Sequence, residues 1–444
     1  MAQENQLSAT EAVERITSGR LSSVDLVKSC LEQIDRTEPE LKAWAHVDGQ
    51  AALETADQMD AIRKSGRPTG ALHGVPVGLK DIIDTADMPT ERGTPIFAGR
   101  RPKADAAVVE RLHEAGAVIL GKTKTTELAF VHATDTRNPQ NHAHSPGGSS
   151  SGSAAAVAAF NVPLAVGTQT NGSVIRPASF CGVYGFKPTR GVIPRRGVLQ
   201  TSNALDQLGS FGRTLEDVAL LADVMAFYDP ADPLSYARPR PAMLEGARSA
   251  VPVTPTLAWL DMPYADKLAA DAAEGLDAVV EALGDRVERM PADARIATMV
   301  VAQHTIHEYE ILRHQADVFD THWHQLSATL RPVLERGRKI SDDEYQDALA
   351  IKASGEAFFA EFFEDYDAVI APAAPGEAPL FGPATGDPIF STIWTLAGLP
   401  CLTLPFLVGE TGLPIGVQLI GSVERDDRLL RTAAWVQNEL MAQA

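Results

Sequence analysis

Cysteine is scarce in this chain of 444 residues, and its three thiols, Cys30, Cys181 and Cys401, lie far apart without a pairing pattern. Such sparse cysteine is typical of a reducing compartment and argues against a disulfide-stabilised secreted protein. Long hydrophobic runs are also missing, because Asn161 and Pro163 interrupt the longest stretch of small apolar residues, and the first residues carry no basic or apolar leader. We therefore expect a cytoplasmic protein without a membrane segment.

Positive charge is in short supply as well. The sequence has 39 Lys and Arg against 58 Asp and Glu, a formal net charge of −19. This balance argues against binding to nucleic acid, although it leaves room for a small positive pocket. Apolar residues make up 45% of the chain, which is enough to bury a large core.

The order of the periodic segments predicts an α/β fold. Residues 7–62 are predicted to form helices, with Ser22 in a capping position. A helix from Asp105 to Glu114 is followed by a strand at 117–120, an alternation typical of a layered sheet. Residues 229–256 are rich in proline and indicate a surface connection.

The second half of the chain is predicted to be mainly helical before it returns to strands. Helical patterns cover about 264–284 and 297–363. Apolar strands are expected at 368–371, 402–404 and 417–420, and a last helix is expected from Asp426.

Two serine-bearing glycine turns flank one short helix and one strand. The first, residues 147–151, places three hydroxyls where they can cap a helix at 154–160. The second follows an apolar strand at 162–166 and sets Gly172 beside Ser173. Backbone N–H groups in such a turn can converge on one point, as a tetrahedral oxyanion requires, so Ser173 is the predicted attacking group.

A serine nucleophile needs a base, and no local Ser-His-Asp pattern is present. Lys80 instead ends the apolar run 75–79, where burial favours its uncharged form. If the run is a strand, Pro76 and Gly78 share the face of Lys80 and leave it free of bulky side chains. A neutral amine there can accept a proton from a hydroxyl.

These features resemble the amidase signature family, in which a lysine at a strand end, a serine in a Gly-Gly-Ser-Ser turn and a second serine form a Ser-Ser-Lys triad. Here Gly147-Gly148-Ser149-Ser150 is the turn, and Ser173 lies 24 residues after Ser149. The resemblance continues through residues 180–189, 205–209 and 412–418. It implies a large mixed, twisted β-sheet with helices on both faces.

The resemblance also implies a single domain, residues 1–444. Its parts are N-terminal helices at 1–65 and a catalytic core at 66–215. A mainly helical variable region follows at 229–365, and C-terminal strands and a helix at 366–444 complete the sheet. The roles that it implies are Ser173 as acyl-enzyme nucleophile, Ser149 as bridging serine after a cis peptide bond, and Lys80 as base. The N–H groups of Thr170, Asn171, Gly172 and Ser173 would form the oxyanion hole, and Gly148, Ser150 and Arg176 would contact substrate.

This chain departs from the commoner family pattern next to the nucleophile. Gln169 and Ile175 replace an Asp and an Arg, a coherent joint loss if those two charges pair. Arg176 comes directly after Ile175, and this arrangement is similar to that of malonamidase-type amidases. Residues 386–388 and 394–396 are also similar to those of that group. Arg176 is expected either to bind a substrate carboxylate or to form a structural ion pair, and its position before Pro177 predicts an extended backbone.

Rival motifs favour other functions less well. Residues 116–123 match the phosphate-loop pattern, but their apolar middle predicts a strand. Residues 148–152 match Gly-x-Ser-x-Gly, which would make Ser150 a nucleophile, but loop residues rather than a strand precede them. Five histidines, His304, His307, His314, His322 and His324, are interpreted as a half-solvated helical face rather than a zinc site.

The sequence therefore predicts an enzyme that cleaves a small amide, which can carry a carboxylate, to an acid and ammonia, without metal or cofactor. Two alternatives stay open: the amidase-like subunit of a tRNA-dependent amidotransferase, and a hydrolase of urea-type or carbamoyl compounds. A catalytically silent scaffold is a third. The expected partner is the small-molecule amide, and association into a homodimer is left open.

Overall fold

One mixed β-sheet of eleven strands runs through the computed structural model, which describes residues 3–443. The strands are β1 (Trp44–Val47), β2 (Pro76–Lys80), β3 (Val118–Thr123), β4 (Leu164–Gln169), β5 (Tyr184–Lys187), β6 (Gln207–Gly212), β7 (Leu257–Asp261), β8 (Val287–Pro291), β9 (Ala368–Pro372), β10 (Cys401–Val408) and β11 (Pro414–Ile420). Their order across the sheet is β1-β3-β2-β4-β6-β5-β10-β11-β9-β7-β8.

Parallel pairs lie towards both ends of the sheet and antiparallel pairs lie in its middle, except that β1 at one edge pairs antiparallel with β3. β2 pairs in parallel with β3 and β4, and β7 pairs in parallel with β8 and β9. Parallel neighbours need a crossover, usually a helix, between them, and this explains why strands and helices alternate in these parts of the chain. The predicted α/β class is confirmed, with helices on both faces of the sheet.

Fifteen α-helices accompany the sheet in residues 3–443. They are α1 (Ala9–Thr17), α2 (Ser23–Leu41), α3 (Gly49–Lys64), α4 (Ala107–Glu114), α5 (Ser151–Ala158), α6 (Ile175–Cys181), α7 (Leu215–Met225), α8 (Met243–Arg248), α9 (Ala270–Leu283), α10 (Arg295–His314), α11 (Ala316–His322), α12 (Leu330–Gly337), α13 (Asp342–Asp365), α14 (Ile389–Leu396) and α15 (Asp426–Gln443). None of the helices in this range is long and apolar enough to cross a membrane.

Side-chain caps define several helix starts. The Ser22 hydroxyl accepts a hydrogen bond from the N–H of Asp25 at the start of α2, as predicted. Thr214 caps α7 in the same way, through the N–H of Asp217. Each cap satisfies a backbone donor that the helix leaves free.

The structure differs from the sequence expectations in three segments. β1 lies within the predicted N-terminal helices, because four residues are too few to show a period of their own and pairing with β3 decides their conformation. The proline-rich connection contains a helix, α8. β7 and β8 lie in the region predicted to be mainly helical, and the single pattern at 297–363 is divided among α10, α11, α12 and α13.

The helical division at 297–363 has local causes. α10 ends where Gln315 leaves helical geometry, and α13 begins at a new capping box in which Ser341 and Glu344 bond to each other's backbone N–H. The buried apolar side chains of α13 and of most of α10 pack in one cluster, and those of α11 and α12 pack in another. Phe359 on α13 lies 5.2 Å, between ring centroids, from Trp394 on α14, and both side chains are buried.

Gly152 in α5 holds the first serine turn against the rest of the core. A Cβ atom at Gly152 would lie 2.2 Å from the carbonyl oxygen of Ala43 and 2.4 Å from the backbone nitrogen of Lys124. Both are backbone atoms and cannot move aside as a side chain can.

Gly152→Ala should therefore destabilise the protein by about 3 kcal/mol, the cost of overpacking a close-packed core. Gly275→Ala in α9 is the matched control, because its Cβ would meet only the flexible end of Leu407, at 3.0 Å. Urea unfolding measures both variants, and equal stabilities would contradict the packing argument.

Candidate active site

Lys80 ends β2 with its side chain fully buried. Its Nζ donates hydrogen bonds to Ser149 Oγ at 2.7 Å and to Thr168 Oγ1 at 2.8 Å. Burial lowers the pKa of the Lys80 amine well below its usual value, and the negative charge of Asp206 offsets this in part. Among residues 3–443 no carboxylate forms an ion pair with Lys80, so the site favours an uncharged amine.

Ser149 lies in the first serine turn, after a cis peptide bond that joins it to Gly148. The resemblance implied this bond. The Ser149 side chain is buried, its hydroxyl accepts the hydrogen bond from Lys80, and its carbonyl oxygen accepts one from the N–H of Thr126. Ser149 and Lys80 are therefore already in contact.

Ser173 lies on the loop between β4 and α6, at the wall of a cavity of about 300 Å³. In the described part of the chain its hydroxyl makes no hydrogen bond, to Ser149 or to any other group. A partly exposed serine side chain changes rotamer easily, and catalytic hydrogen bonds are often completed only when substrate is bound. The structure thus brings two of the three predicted groups into contact and leaves the third free beside the cavity.

In the loop at 170–173, other residues donate hydrogen bonds to the carbonyl groups, whereas several N–H groups have no acceptor among the described residues. The carbonyl oxygen of Thr170 accepts a hydrogen bond from Gln303 Nε2, that of Asn171 from Thr395 Oγ1, and that of Gly172 from the N–H of Arg176. Within residues 3–443 the N–H groups of Asn171, Gly172 and Ser173 have no protein acceptor. Free, fixed N–H groups beside a serine are what an oxyanion hole needs.

Ser150 does not act as the predicted helix cap. α5 begins at Ser151 rather than at 154, and no side-chain hydroxyl caps it. Ser150 Oγ instead donates to the carbonyl oxygen of Thr168 and accepts from the Thr168 N–H. Ser150 therefore supports Lys80 indirectly, because Thr168 is the second acceptor of the lysine. Its side chain is buried and, like Gly148, it does not line the cavity.

Arg176 lies in the first turn of α6, so the predicted extended backbone before Pro177 is wrong. The bonds that Gln169 makes to the N–H groups of Val174 and Ile175 start the helix there, and they outweigh the local preference. Gln169 thus provides an acceptor for the helix start, and Ile175 packs in the core. Neither position needs the charge that the commoner pattern has.

The Arg176 guanidinium is buried beside the cavity. It donates to the carbonyl oxygens of Gly148 at 2.7 Å and Gly386 at 2.5 Å, and to Thr385 Oγ1 at 3.0 Å. It makes no ion pair with any residue in 3–443, so the structural ion pair is wrong, and its buried Nε has no partner. Burial lowers the pKa of Arg176 to about 10, which leaves it charged at neutral pH.

Two of the five clustered histidines line the cavity, which the interpretation as a half-solvated face did not include. The ring of His307 lies 4.3 Å from that of Phe130, and desolvation lowers the pKa of His307 to about 3. Glu308 and Arg336 pair at the same cavity, 2.5 Å apart. In residues 3–443 there is no group of three or more His, Cys, Asp or Glu that could hold a metal.

The rival motifs are structural. The phosphate-loop pattern lies on β3, where Lys122 Nζ donates to the carbonyl oxygen of Ile83 and to Thr90 Oγ1. The last strand before Ser150 ends at Thr123, so no strand leads into the Gly-x-Ser-x-Gly turn.

Sequence reasoning missed the residues that bind the loop at 170–173 from other segments; because it carries Ser173, the predicted nucleophile, this loop is called the nucleophile loop. Gln303 lies on α10, in a segment without a motif, and nothing in the sequence marks it. Thr392 and Thr395 on α14 bond to the side chain and the carbonyl of Asn171, and only the resemblance at 394–396 indicated this helix.

In this α/β fold a buried amine binds one serine, and a second serine lies with free N–H groups at a cavity; these are the components of a site for acyl transfer. The family model described as "Amidase" matches residues 25–430. The chain therefore belongs to the amidase family, whose members are enzymes that hydrolyse C–N bonds.

Relatives with several activities cover nearly the whole chain. A glutamyl-tRNA(Gln) amidotransferase subunit of Trichormus variabilis is 33% identical, and the match covers 96% of each protein. A solved structure described as an unexpected vestigial protein complex that reveals the origins of an s-triazine catabolic enzyme matches with a TM-score of 0.92 at 29% identity, over 97% of this chain and 98% of that one. The 6-aminohexanoate cyclic dimer hydrolase matches with a TM-score of 0.88 at 26% identity, over 99% and 98%.

Lys80→Met should lower kcat/KM for amide hydrolysis by about 10³-fold, within the range of a general base. In the wild type the rate should fall as the pH drops through the lowered pKa of Lys80, because only the neutral amine accepts a proton. A pH profile of kcat/KM measures both effects.

Lys122→Met is the matched control for Lys80→Met. Lys122 is also fully buried, on the neighbouring strand, and burial lowers its pKa to about 8, but it contacts neither serine. This variant should keep kcat/KM close to that of the wild type. Equal losses in the two variants would show that Lys80 acts only on folding.

Proposed function

We propose that this protein is an amide hydrolase that transfers the acyl group of a small amide to Ser173 and then to water, with release of ammonia. The observation that carries the proposal is the hydrogen bond between the buried amine of Lys80 and the Ser149 hydroxyl, next to the cavity of Ser173. A desolvated, uncharged amine is a competent base for a hydroxyl relay.

The reaction uses one proton relay in both directions. Ser173 passes its proton to Ser149 as Ser149 passes its own to Lys80, and Ser173 Oγ bonds to the amide carbon. The relay then returns a proton to the nitrogen, the C–N bond breaks, and ammonia leaves. Water, activated by the same groups, hydrolyses the ester and frees Ser173.

The backbone of the nucleophile loop supports the charge that develops on the amide oxygen. Three carbonyl groups of this loop are held by Gln303, Thr395 and Arg176, so the opposite N–H groups are free to donate to an oxyanion. Donors that are already in position need no reorganisation during the reaction, and this preorganisation accounts for the larger part of their catalytic effect.

The cavity favours a small substrate that carries a carboxylate. Its volume of about 300 Å³ is at the low end for ligand sites. Arg176 brings a positive charge to it without a carboxylate partner in residues 3–443, and a buried charge is stabilised when an anion joins it. Phe130 and the uncharged His307 provide a flat, neutral surface for the rest of the molecule.

The second candidate is an amidotransferase component that forms ammonia for a partner protein. Relatives such as the glutamyl-tRNA(Gln) amidotransferase subunit of Trichormus variabilis favour it, at 33% identity over nearly the full length. A urea-type substrate is a variant of the first proposal. All these candidates share acyl transfer at Ser173, and they differ in the acyl group and in the fate of ammonia.

Ammonia release by the purified chain tests the proposal. A panel of malonamate-type, aryl and urea-type amides, together with glutamine, should yield at least one substrate that the chain hydrolyses alone, and Ser173→Ala should abolish turnover. A fluorophosphonate should attach its phosphonyl group to Ser173, with loss of fluoride, in the wild type only. A chain that is inactive alone, and hydrolyses glutamine only with a protein that copurifies from its own cells, would favour the second candidate.

Arg176→Gln tests the carboxylate site. KM for a carboxylated amide should rise by about tenfold to a hundredfold, the value of a charged hydrogen bond of about 1.5–3 kcal/mol. KM for the matching neutral amide should change far less, and this comparison separates lost charge from disturbed packing at Gly148 and Gly386. Equal changes for the two substrates would assign Arg176 a structural role only.

A further inference from the structure

Gln303 has both ends of its side-chain amide bound to the nucleophile loop. Nε2 donates to the carbonyl oxygen of Thr170 at 2.9 Å, and Oε1 accepts from Asn171 Nδ2 at 3.1 Å. The side chain is fully buried and belongs to α10, more than a hundred residues away along the chain. We propose that Gln303 is a positioning residue for the oxyanion hole, an inference that rests on the proposed function.

The orientation of this amide follows from one unambiguous acceptor. A backbone carbonyl oxygen can only accept, so the nitrogen of Gln303 must face Thr170. The oxygen of Gln303 must then face the nitrogen of Asn171, and the oxygen of Asn171 faces the hydroxyl of Thr392 at 2.8 Å. The chain of bonds from α10 through the loop to α14 thus has one consistent direction.

Peptide geometry connects these bonds to catalysis. The carbonyl of Thr170 and the N–H of Asn171 belong to one planar trans peptide unit and point in opposite directions. The bond from Gln303 to that carbonyl therefore directs the N–H of Asn171 away from α10. Thr395 and the N–H of Arg176 hold the next two carbonyls and direct the N–H groups of Gly172 and Ser173 in the same way.

Without Gln303 the buried carbonyl of Thr170 loses its donor. A buried acceptor without a partner is unfavourable, so the peptide unit is expected to rotate towards another donor or water. Rotation would move the N–H of Asn171 out of line with the amide oxygen. Substrate contacts at Arg176 and at the wall formed by Phe130 and His307 would remain, because those residues do not belong to this peptide unit.

Gln303→Met, which keeps the length and burial of the side chain, tests the inference. We expect kcat to fall by about tenfold to a hundredfold, less than the direct loss of an oxyanion donor costs, while KM stays near its wild-type value. The rate at which a fluorophosphonate labels Ser173 should fall in parallel, because phosphonylation of the serine uses the same N–H groups to stabilise the phosphonyl oxygen.

Gln315→Met is the matched control. Gln315, at the end of α10, is buried as Gln303 is, and its side-chain amide donates to the backbone carbonyl of Gln200 at 2.9 Å. Gln315 has no hydrogen bond to the nucleophile loop. Gln315→Met should leave kcat and the labelling rate unchanged, even where it loses as much thermal stability as Gln303→Met. Equal effects of the two variants would overturn the inference.

A second single variant keeps the test decisive if Gln303→Met folds poorly. Asn171→Ala removes the donor that binds the oxygen of Gln303, so it should lower kcat and the labelling rate in the same direction while KM stays near its wild-type value. Unchanged kcat and an unchanged labelling rate in Asn171→Ala would contradict the proposal. A wild type that neither hydrolyses any amide nor labels at Ser173 would instead count against the proposed function itself.

Discussion

The proposed chemistry depends on one amine, that of Lys80, whose pKa is lowered by burial. Lys80 is buried at the end of β2, with only the hydroxyls of Ser149 and Thr168 as hydrogen-bond partners and with no carboxylate paired to it in residues 3–443. A protonated amine is disfavoured in such a place, so burial lowers the pKa of Lys80, as the proposed role of a base requires. Thr168 and Ser150 hold the amine in position, and the serine turn brings Ser149 to it.

In the nucleophile loop, the surrounding protein likewise prepares backbone groups for the proposed reaction. Its carbonyl oxygens are bound by side chains and by the start of α6, and its N–H groups remain available. Gln169 provides the acceptors that start α6, which explains how this chain manages without the Asp and Arg of the commoner pattern. The unpaired cation that remains, Arg176, distinguishes this cavity chemically from one with a neutral wall.

Much of the site could be predicted because its signals are local. The spacing of Gly148, Ser149 and Ser173 and the alternation around Lys80 are visible in short stretches, and the structure places Lys80 and Ser149 in contact. The expected extended backbone at Arg176 was wrong, because a preference of one dipeptide lost to two hydrogen bonds from Gln169. The short strand β1 and the strands β7 and β8 were missed, since pairing with distant segments determines them.

The sequence by itself determined the α/β class, the family resemblance and the residue types of the proposed chemistry, because these depend on periodicity and spacing within a few tens of residues. Only the tertiary structure decided what surrounds them. Gln303, His307 and Phe130 meet the nucleophile loop or its cavity from segments far apart in the chain. The physical reason is that a hydrogen bond or a packed ring requires proximity in space, and residues without a local pattern reach it only when the sheet and its helices have assembled.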